Sequence, residues 1–222
     1  MASTIQQIET PKRARALDTS GNNNHGQIYS GRALEFDGVT DYLDTGWGNG
    51  DISTPLTMAC WVYVKTTGSR IFFGHSTTGS NKRIYIGTRS SPLVFDMGIQ
   101  DSQWGVTTNE VTGFSDQPTC NLNTWYRVVL VLDGSTASMY VNGIKSYAKT
   151  HTTFSPDTNF TIGDIRAAAS YRWDGMLSDF QLYDAAWSAD DVTYDYLNPE
   201  SLALNRGGTS LTNSNLKMWY PM

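Results

Sequence analysis

The residues that could do chemistry are few and mostly isolated. Glycan cleavage needs two carboxylates held at a fixed separation, one acting as acid/base and the other as nucleophile or base. Glu35 and Asp37 stand two residues apart, but no second glutamate closely follows them: Thr40 comes three positions after Asp37, and Gly38 turns the chain there. The other glutamates, Glu9, Glu110 and Glu200, are isolated, so Glu35 reads as a solvent-facing strand residue. No Gly-x-Ser-x-Gly elbow, P-loop or dinucleotide fingerprint occurs. His25, His75 and His151 lack ligand spacing and read as satisfied or loop histidines.

Sugar recognition has better candidates, because aromatic rings stack on sugar faces while amides and charged groups hold the hydroxyls. Trp104 sits in a long polar segment, Gln100-Asp101-Ser102-Gln103-Trp104-Gly105, outside any strand pattern. Long loops in compact domains tend to carry function. Asp101, Gln103 and Trp104 therefore form one candidate glycan site, and Tyr171, Arg172 and Trp173 form a second. The alternative for both is packing over the end of the domain. Trp61 and Trp125 lie inside strand patterns and read as core or half-core, with Trp61 facing the core.

The elements that must position these residues are strands. Period-2 or β-rich runs occur at 33–37, 41–45, 55–65, 70–75, 82–87, 92–98, 125–133, 137–142, 159–163 and 174–184. Asp133-Gly134 and Asn142-Gly143 separate consecutive runs and suit turns that need positive φ. Many short strands with Gly-rich turns imply an all-β, two-sheet antiparallel sandwich. One short C-terminal helix is expected from Ser188 to about Leu197, with Ser188 as N-cap, acidic residues in its first turn, and Asn198-Pro199 as its stop. Three segments follow: an arm at 1–16, a sandwich at 17–197, and a linker with one further strand, Leu216-Lys217-Met218-Trp219-Tyr220, at 198–222. That apolar strand implies a truncated chain or docking onto this or another subunit. The second alternative carries the expectation of a homo-oligomer.

In their order along the chain these motifs resemble the laminin-G-like, pentraxin-like jelly rolls of the concanavalin-A-like superfamily. The likeness is carried by Asp18 through Gly26, Leu34 through Tyr42, Thr57 through Val62, Trp125 through Val128, Tyr140 through Gly143, Ile162-Gly163 and Trp173 through Asp184, and it covers residues 17–197. The resemblance implies adhesion, lectin or scaffold roles. Relatives often place a structural calcium carboxylate at the position of Asp179, so it implies calcium there, with further oxygens from the Asp18 loop. The alternative is that Asp18, Asp37, Asp41 and Asp179 accept backbone N–H groups. Residues 188–222 are similar to segments in structural proteins of tailed bacteriophages.

Composition limits the partners. The chain has 222 residues, a net charge of −5 and a pI near 5.1, which argues against nucleic acid. Lys12, Arg13 and Arg15 read as a solvated basic group. No apolar run approaches the roughly 20 residues that span a bilayer, so membrane insertion is not expected. The start, Met1-Ala2-Ser3-Thr4, has no signal-peptide core, and Cys60 and Cys120 read as free thiols. The expectation is a non-enzymatic structural or adhesive component of a virion, assembled in the host cytoplasm with other virion proteins. The alternative is a carbohydrate-binding adhesin that meets a cell-surface glycan through end loops. A glycoside hydrolase is the remote third reading.

Overall fold

A computed structural model describes residues 15–16, 26–27, 33–47, 54–76, 83–90, 92–100, 117–150, 159–165, 169–199 and 201–221. Contacts divide the chain into Met1–Arg32 and Ala33–Met222. In the first unit the described residues form a short antiparallel pair, β1 (Arg15–Ala16) with β2 (Gly26–Gln27).

The second unit is a sandwich of two antiparallel sheets. The larger contains β3 (Leu34–Asp37), β5 (Leu56–Val64), β9 (Thr124–Asp133), β10 (Thr136–Val141), β11 (Ile144–Thr150), β13 (Asp174–Tyr183) and β14 (Leu216–Tyr220). Its order is β11-β10-β9-β5-β13-β14, and β3 also pairs with β13. The smaller sheet runs in the order β4 (Leu43–Asp44), β12 (Thr161–Ile162), β6 (Arg70–Ser76), β7 (Arg83–Arg89) and β8 (Val94–Gln100). Asn142 and Gly143, both at positive φ, make the β10–β11 turn, as the Asn-Gly pair predicts. The run at 144–150 was not among the expected strands, because its lysines hide the pattern.

Alternation along each strand divides its side chains between a shared core and an outer face. Leu56, Met58, Cys60, Val62 and Val64 of β5 meet Val128, Leu130 and Leu132 of β9, with Ile84, Ile86, Phe95, Met97 and Ile99 from the opposing sheet. Both cysteines are free and buried, and burial pushes each thiol up to about 12. Trp61 is buried too, but not between the sheets. It belongs to the other phase of β5, on the outer face of the larger sheet, where its ring lies 5.9 Å from that of Tyr196.

Tyr196 belongs to α1 (Ala189–Leu197), which covers that outer face. Ser188 caps the helix in a capping box with Asp191, as the sequence implies. Val192 packs with Ala59, Val129, Tyr183, Trp187, Ala203 and Leu211 in a second apolar cluster. Beneath the helix lies Arg127, only 1 % exposed. Its Nε and Nη2 donate to the two oxygens of Asp195 on α1 at 2.7 and 2.8 Å. Its Nη1 donates to the Asp179 carbonyl at 2.8 Å and stands 3.2 Å from that residue's carboxylate. Burial alone would lower the Arg127 pKa, but the charges of Asp195 and Asp179 outweigh burial and hold it above its ordinary value.

The expected C-terminal strand adds to its own sheet. Trp219 of β14 pairs with Gln181, and its Nε1 donates to Asp179 Oδ1 at 2.8 Å. β14 thus extends the larger sheet at its edge, so of the two docking alternatives the strand takes the one onto its own subunit.

At the other end of β3, Asp37 fixes the corner into the next strand. Its carboxylate accepts the N–H groups of Val39, Thr40 and Asp41 and the Thr40 hydroxyl. The Thr40 N–H, then the Val39 N–H, hold its pKa well below the ordinary 3.8. A carboxylate with a depressed native pKa stabilises the fold above its unfolded value and loses that contribution as pH falls toward the native value. The difference in thermal midpoint between the wild type and Asp37→Asn will therefore be constant from neutral pH to about 5 and shrink below about 4.

Removing one partner of a buried pair leaves an uncompensated charge, which costs about 3–5 kcal/mol. Urea denaturation of Arg127→Ala, which leaves Asp195 and Asp179 buried without their cation, should show a loss of that size. The double change Arg127→Met with Asp195→Leu should recover part of it, because only Asp179 then remains of the charged groups, and it keeps the Trp219 Nε1 and Gln181 Nε2 donors.

Candidate functional site

The outer face of the smaller sheet is built differently. No helix of the described residues lies on it, and its strands carry glycine where bulk would be expected. Tyr85 on β7 stands directly opposite Gly98 on β8. A Cβ at Gly98 would collide with the Tyr85 ring, and one at Gly74 would press on Tyr85 and Ile165. The glycines therefore let the ring lie down on the sheet. Ile71, Tyr85 and Ile165 form a small apolar cluster there, with Tyr171 packed at its side.

Polar groups flank this strip at both ends. At one end Asp96 of β8, with a side chain 3 % exposed, receives a charge-assisted contact from Arg89 Nη2 at 2.9 Å. The Tyr85 hydroxyl donates to Asp96 Oδ2 at 3.1 Å, and Gln117 Nε2 donates to Oδ1 at 2.5 Å. Burial raises the Asp96 pKa against the pull of Arg89. For Arg89, burial opposes the charge, and Asp96 and Tyr85 more than restore it. Gln117 Oε1 is buried without a hydrogen-bond partner.

At the other end Arg172 Nε donates to Asp164 Oδ2 at 3.2 Å, and Nη1 donates to the Val39 carbonyl. Its guanidinium lies over the ring of Tyr42, 5.4 Å from the centroid, and that ring is 46 % exposed. Asp164 is nearly buried and also accepts the Ile165 N–H at 2.6 Å. Arg70 Nη1 donates to the carbonyls of Ser170 and Arg172, which pins the single 3-10 turn Ala169–Tyr171 beside the face.

The sequence candidates separate on this frame. Tyr171 and Arg172 are on the face. Trp173 is not: it is 1 % exposed and packs edge-on against Phe72 at 5.2 Å, because alternation from the outward Arg172 turns the next residue into the core. Asp101, Gln103 and Trp104 lie outside the described residues, as does Asp18. Trp125 is half-buried on the opposite sheet, beside Tyr63 at 5.4 Å.

Asp179 does not suit calcium. A β-bulge places it at φ 49°, and its carboxylate accepts Trp219 Nε1 on one oxygen and Gln181 Nε2 on the other, with the Arg127 cation alongside. Its oxygens already face donors, which is the hydrogen-bonding alternative. Among the described residues no three His, Cys, Asp or Glu side chains gather as a metal would require. Glu35 is exposed and pairs with Lys65 Nζ at 2.5 Å. His75 is buried beside Phe160, and His25 and His151 are outside the described residues.

Sequence reasoning missed Tyr42, Tyr85, Arg89, Asp96, Gln117 and Asp164. Two signals were available. Asp96 sits between Phe95 and Met97 in an apolar strand, where an unpaired carboxylate would be costly. Gly74, Gly87 and Gly98 recur inside strands, where glycine marks close approach.

The architecture recurs in solved structures. A protein described as a candidate carbohydrate binder from Bacteroides ovatus aligns at a TM-score of 0.61 and 16 % identity, covering 85 % of this chain and 50 % of the other. This chain thus spans half the length of that relative. Domain 4 of an extracellular arabinanase from Geobacillus stearothermophilus, solved with arabinotriose, aligns at 0.56 and 14 % identity, covering 84 % and 82 %. A sialidase from Trypanosoma rangeli aligns at 0.56 and 16 % identity, covering 76 % of this chain and 27 % of the other. At such identities the likeness shows the fold. No curated protein matches the chain by sequence. A family match is found over residues 37–193, well over half of the chain, which spans the strands from the Asp37 corner through β13 and most of α1. With two antiparallel sheets and one α-helix among the described residues of its second unit, the chain belongs to the laminin-G-like branch of the concanavalin A-like lectin/glucanase superfamily.

Proposed function

We propose that this chain is a carbohydrate-binding jelly-roll module that holds a glycan on the outer face of its smaller sheet and does not cleave it. The observation that carries the reading is the sequence of groups across that face. The exposed Tyr42 ring and the half-buried Tyr171 stand with Arg172 at one end of the buried Ile71-Tyr85-Ile165 cluster and Arg89 at the other, and each arginine, about a quarter exposed, is seated on a buried carboxylate. Sugars present apolar C–H faces and rings of hydroxyls, and such a band offers both complements. Family membership and the two neighbours, one described as a candidate carbohydrate binder and one solved with arabinotriose, support it. The virion reading has less support, because residues 188–222, which suggested it, are accounted for as the helix and edge strand of the jelly roll itself.

The test is a glycan array followed by calorimetric titration of the best oligosaccharide. Arg172→Ala removes a charged hydrogen-bond donor and should weaken binding by about tenfold or more. Tyr171→Ala should also weaken it. Replacing Ile144, exposed at the β10–β11 turn on the other sheet, should leave it unchanged. No reducing ends should appear on prolonged incubation. Their release by the pure protein, and its loss in Glu35→Gln, would show an enzyme instead.

A further inference from the structure

We infer that the ligand of this face is an uncharged glycan, read through its hydroxyls by arginines whose charge is already cancelled. The inference rests on the carbohydrate reading and goes further by naming the class of sugar.

Arginine on a glycan-binding surface ordinarily suggests an acidic sugar, since its fork matches carboxylate and sulfate. Here both forks are engaged from below. The Arg89 side chain is 26 % exposed over an Asp96 side chain 3 % exposed, 2.9 Å away. The Arg172 side chain is 21 % exposed over an Asp164 side chain 5 % exposed, 3.2 Å away. Each pair presents the field of a dipole, which falls off faster than that of a free cation. An arriving anion would meet a buried carboxylate behind each guanidinium. Across the whole chain the balance is −5, which adds a weak repulsion.

The polar groups that remain suit a neutral polyol. Arg172 has Nε on Asp164 and Nη1 on the Val39 carbonyl, leaving Nη2 to donate to a sugar oxygen. Gln117 has Nε2 on Asp96, and its Oε1 is a buried acceptor without a partner. A buried acceptor left unpaired is unfavourable, and an O–H group relieves it whereas a carboxylate or sulfate does not. The donor and the acceptor stand at opposite ends of the face, so each calls for its own hydroxyl, a group that can both give and take a hydrogen bond.

The experiment compares matched ring pairs that differ by a carboxylate: galactan with galacturonan oligosaccharides, mannan with mannuronan, glucan with glucuronan. The neutral member of a pair should bind about tenfold or more tightly than its acid, and its affinity should change by less than about twofold between about 0.05 and 0.5 M NaCl. Asp164→Asn frees the charge of Arg172, so it should shift the acid-to-neutral affinity ratio about tenfold toward the acid, and that gain should fade with salt. Asp96→Asn should act likewise through Arg89. Tighter binding of the acidic members by the wild type, lost at high salt, would overturn the inference and leave the carbohydrate reading intact. A ratio unmoved in both variants, with circular dichroism showing them folded, would overturn it too. Binding of no glycan of either kind would overturn the carbohydrate reading and this inference with it.

Discussion

A guanidinium shut away from water sets the terms for one side of this molecule. Arg127 projects from the middle of β9 into a space where an unpaired charge would cost several kcal/mol. It therefore has to be met by carboxylates, and neither of the two that meet it is local in sequence. Asp195 comes down from α1, and Asp179 comes from a bulge in β13. The bulge is a consequence of this demand: φ of 49° at a non-glycine residue turns both the carbonyl and the carboxylate of Asp179 toward the arginine. Gln181 bridges the two acids, and Trp219 closes the far side of Asp179. The helix and the last strand thus have their positions dictated by one side chain. Such a network contributes less to net stability than apolar packing would, but its directional contacts fit few alternative placements of helix and strand.

The two outer faces of the sandwich then have opposite characters. The larger sheet is covered by α1, Trp187, Ala203 and Leu211, with Arg127 and its two acids held beneath the helix. The smaller sheet uses glycine to seat a buried Tyr85 and leaves about a quarter of Arg89 and Arg172 exposed. The same residue type serves both. Arg127, with two acids and no exposure, is a structural clamp. Arg89 and Arg172, with one acid each and a quarter or less of their side chains exposed, are donors held in fixed positions.

How much of this the sequence displays depends on whether the determining contacts are local. The Asn142-Gly143 turn, the Ser188 capping box and the Asp37 corner involve residues within four positions of each other, and each is readable from the chain. Strand existence is readable too, because period 2 is a local property. The face a residue occupies is harder to read. Every residue of β5 except Tyr63 is fully buried, so alternation could not tell that Trp61 belongs under the helix and Cys60 between the sheets. One position also decides Arg172 against Trp173, outward donor against core ring. The partners of Arg127 lie 52 and 68 residues away, and Arg172 reaches the Val39 carbonyl 133 residues away. Those pairings exist only once the sheets have formed. The candidate site is made almost wholly of such contacts, so the places of Tyr42, Asp96 and Asp164 beside it are beyond a local reading of the chain.

The same contacts bear on whether this face suits cleavage or binding. A glycosidase needs one carboxyl group that can present a proton and another that can present a lone pair, both reaching the scissile bond. The two carboxylates of this face are buried and turned toward arginines that lie between them and solvent-exposed groups. Asp96 accepts from Tyr85, Arg89 and Gln117 together, and Asp164 accepts from Arg172 and the Ile165 N–H, so each oxygen of both acids already accepts a hydrogen bond. Freeing either acid would leave a half-buried arginine uncompensated. What the construction does well is hold donors still: each guanidinium is fixed by its acid before a ligand arrives, so little side-chain entropy remains to be lost on binding. Fixed, charge-cancelled donors beside the exposed Tyr42 ring fit the proposed reversible recognition of a sugar surface.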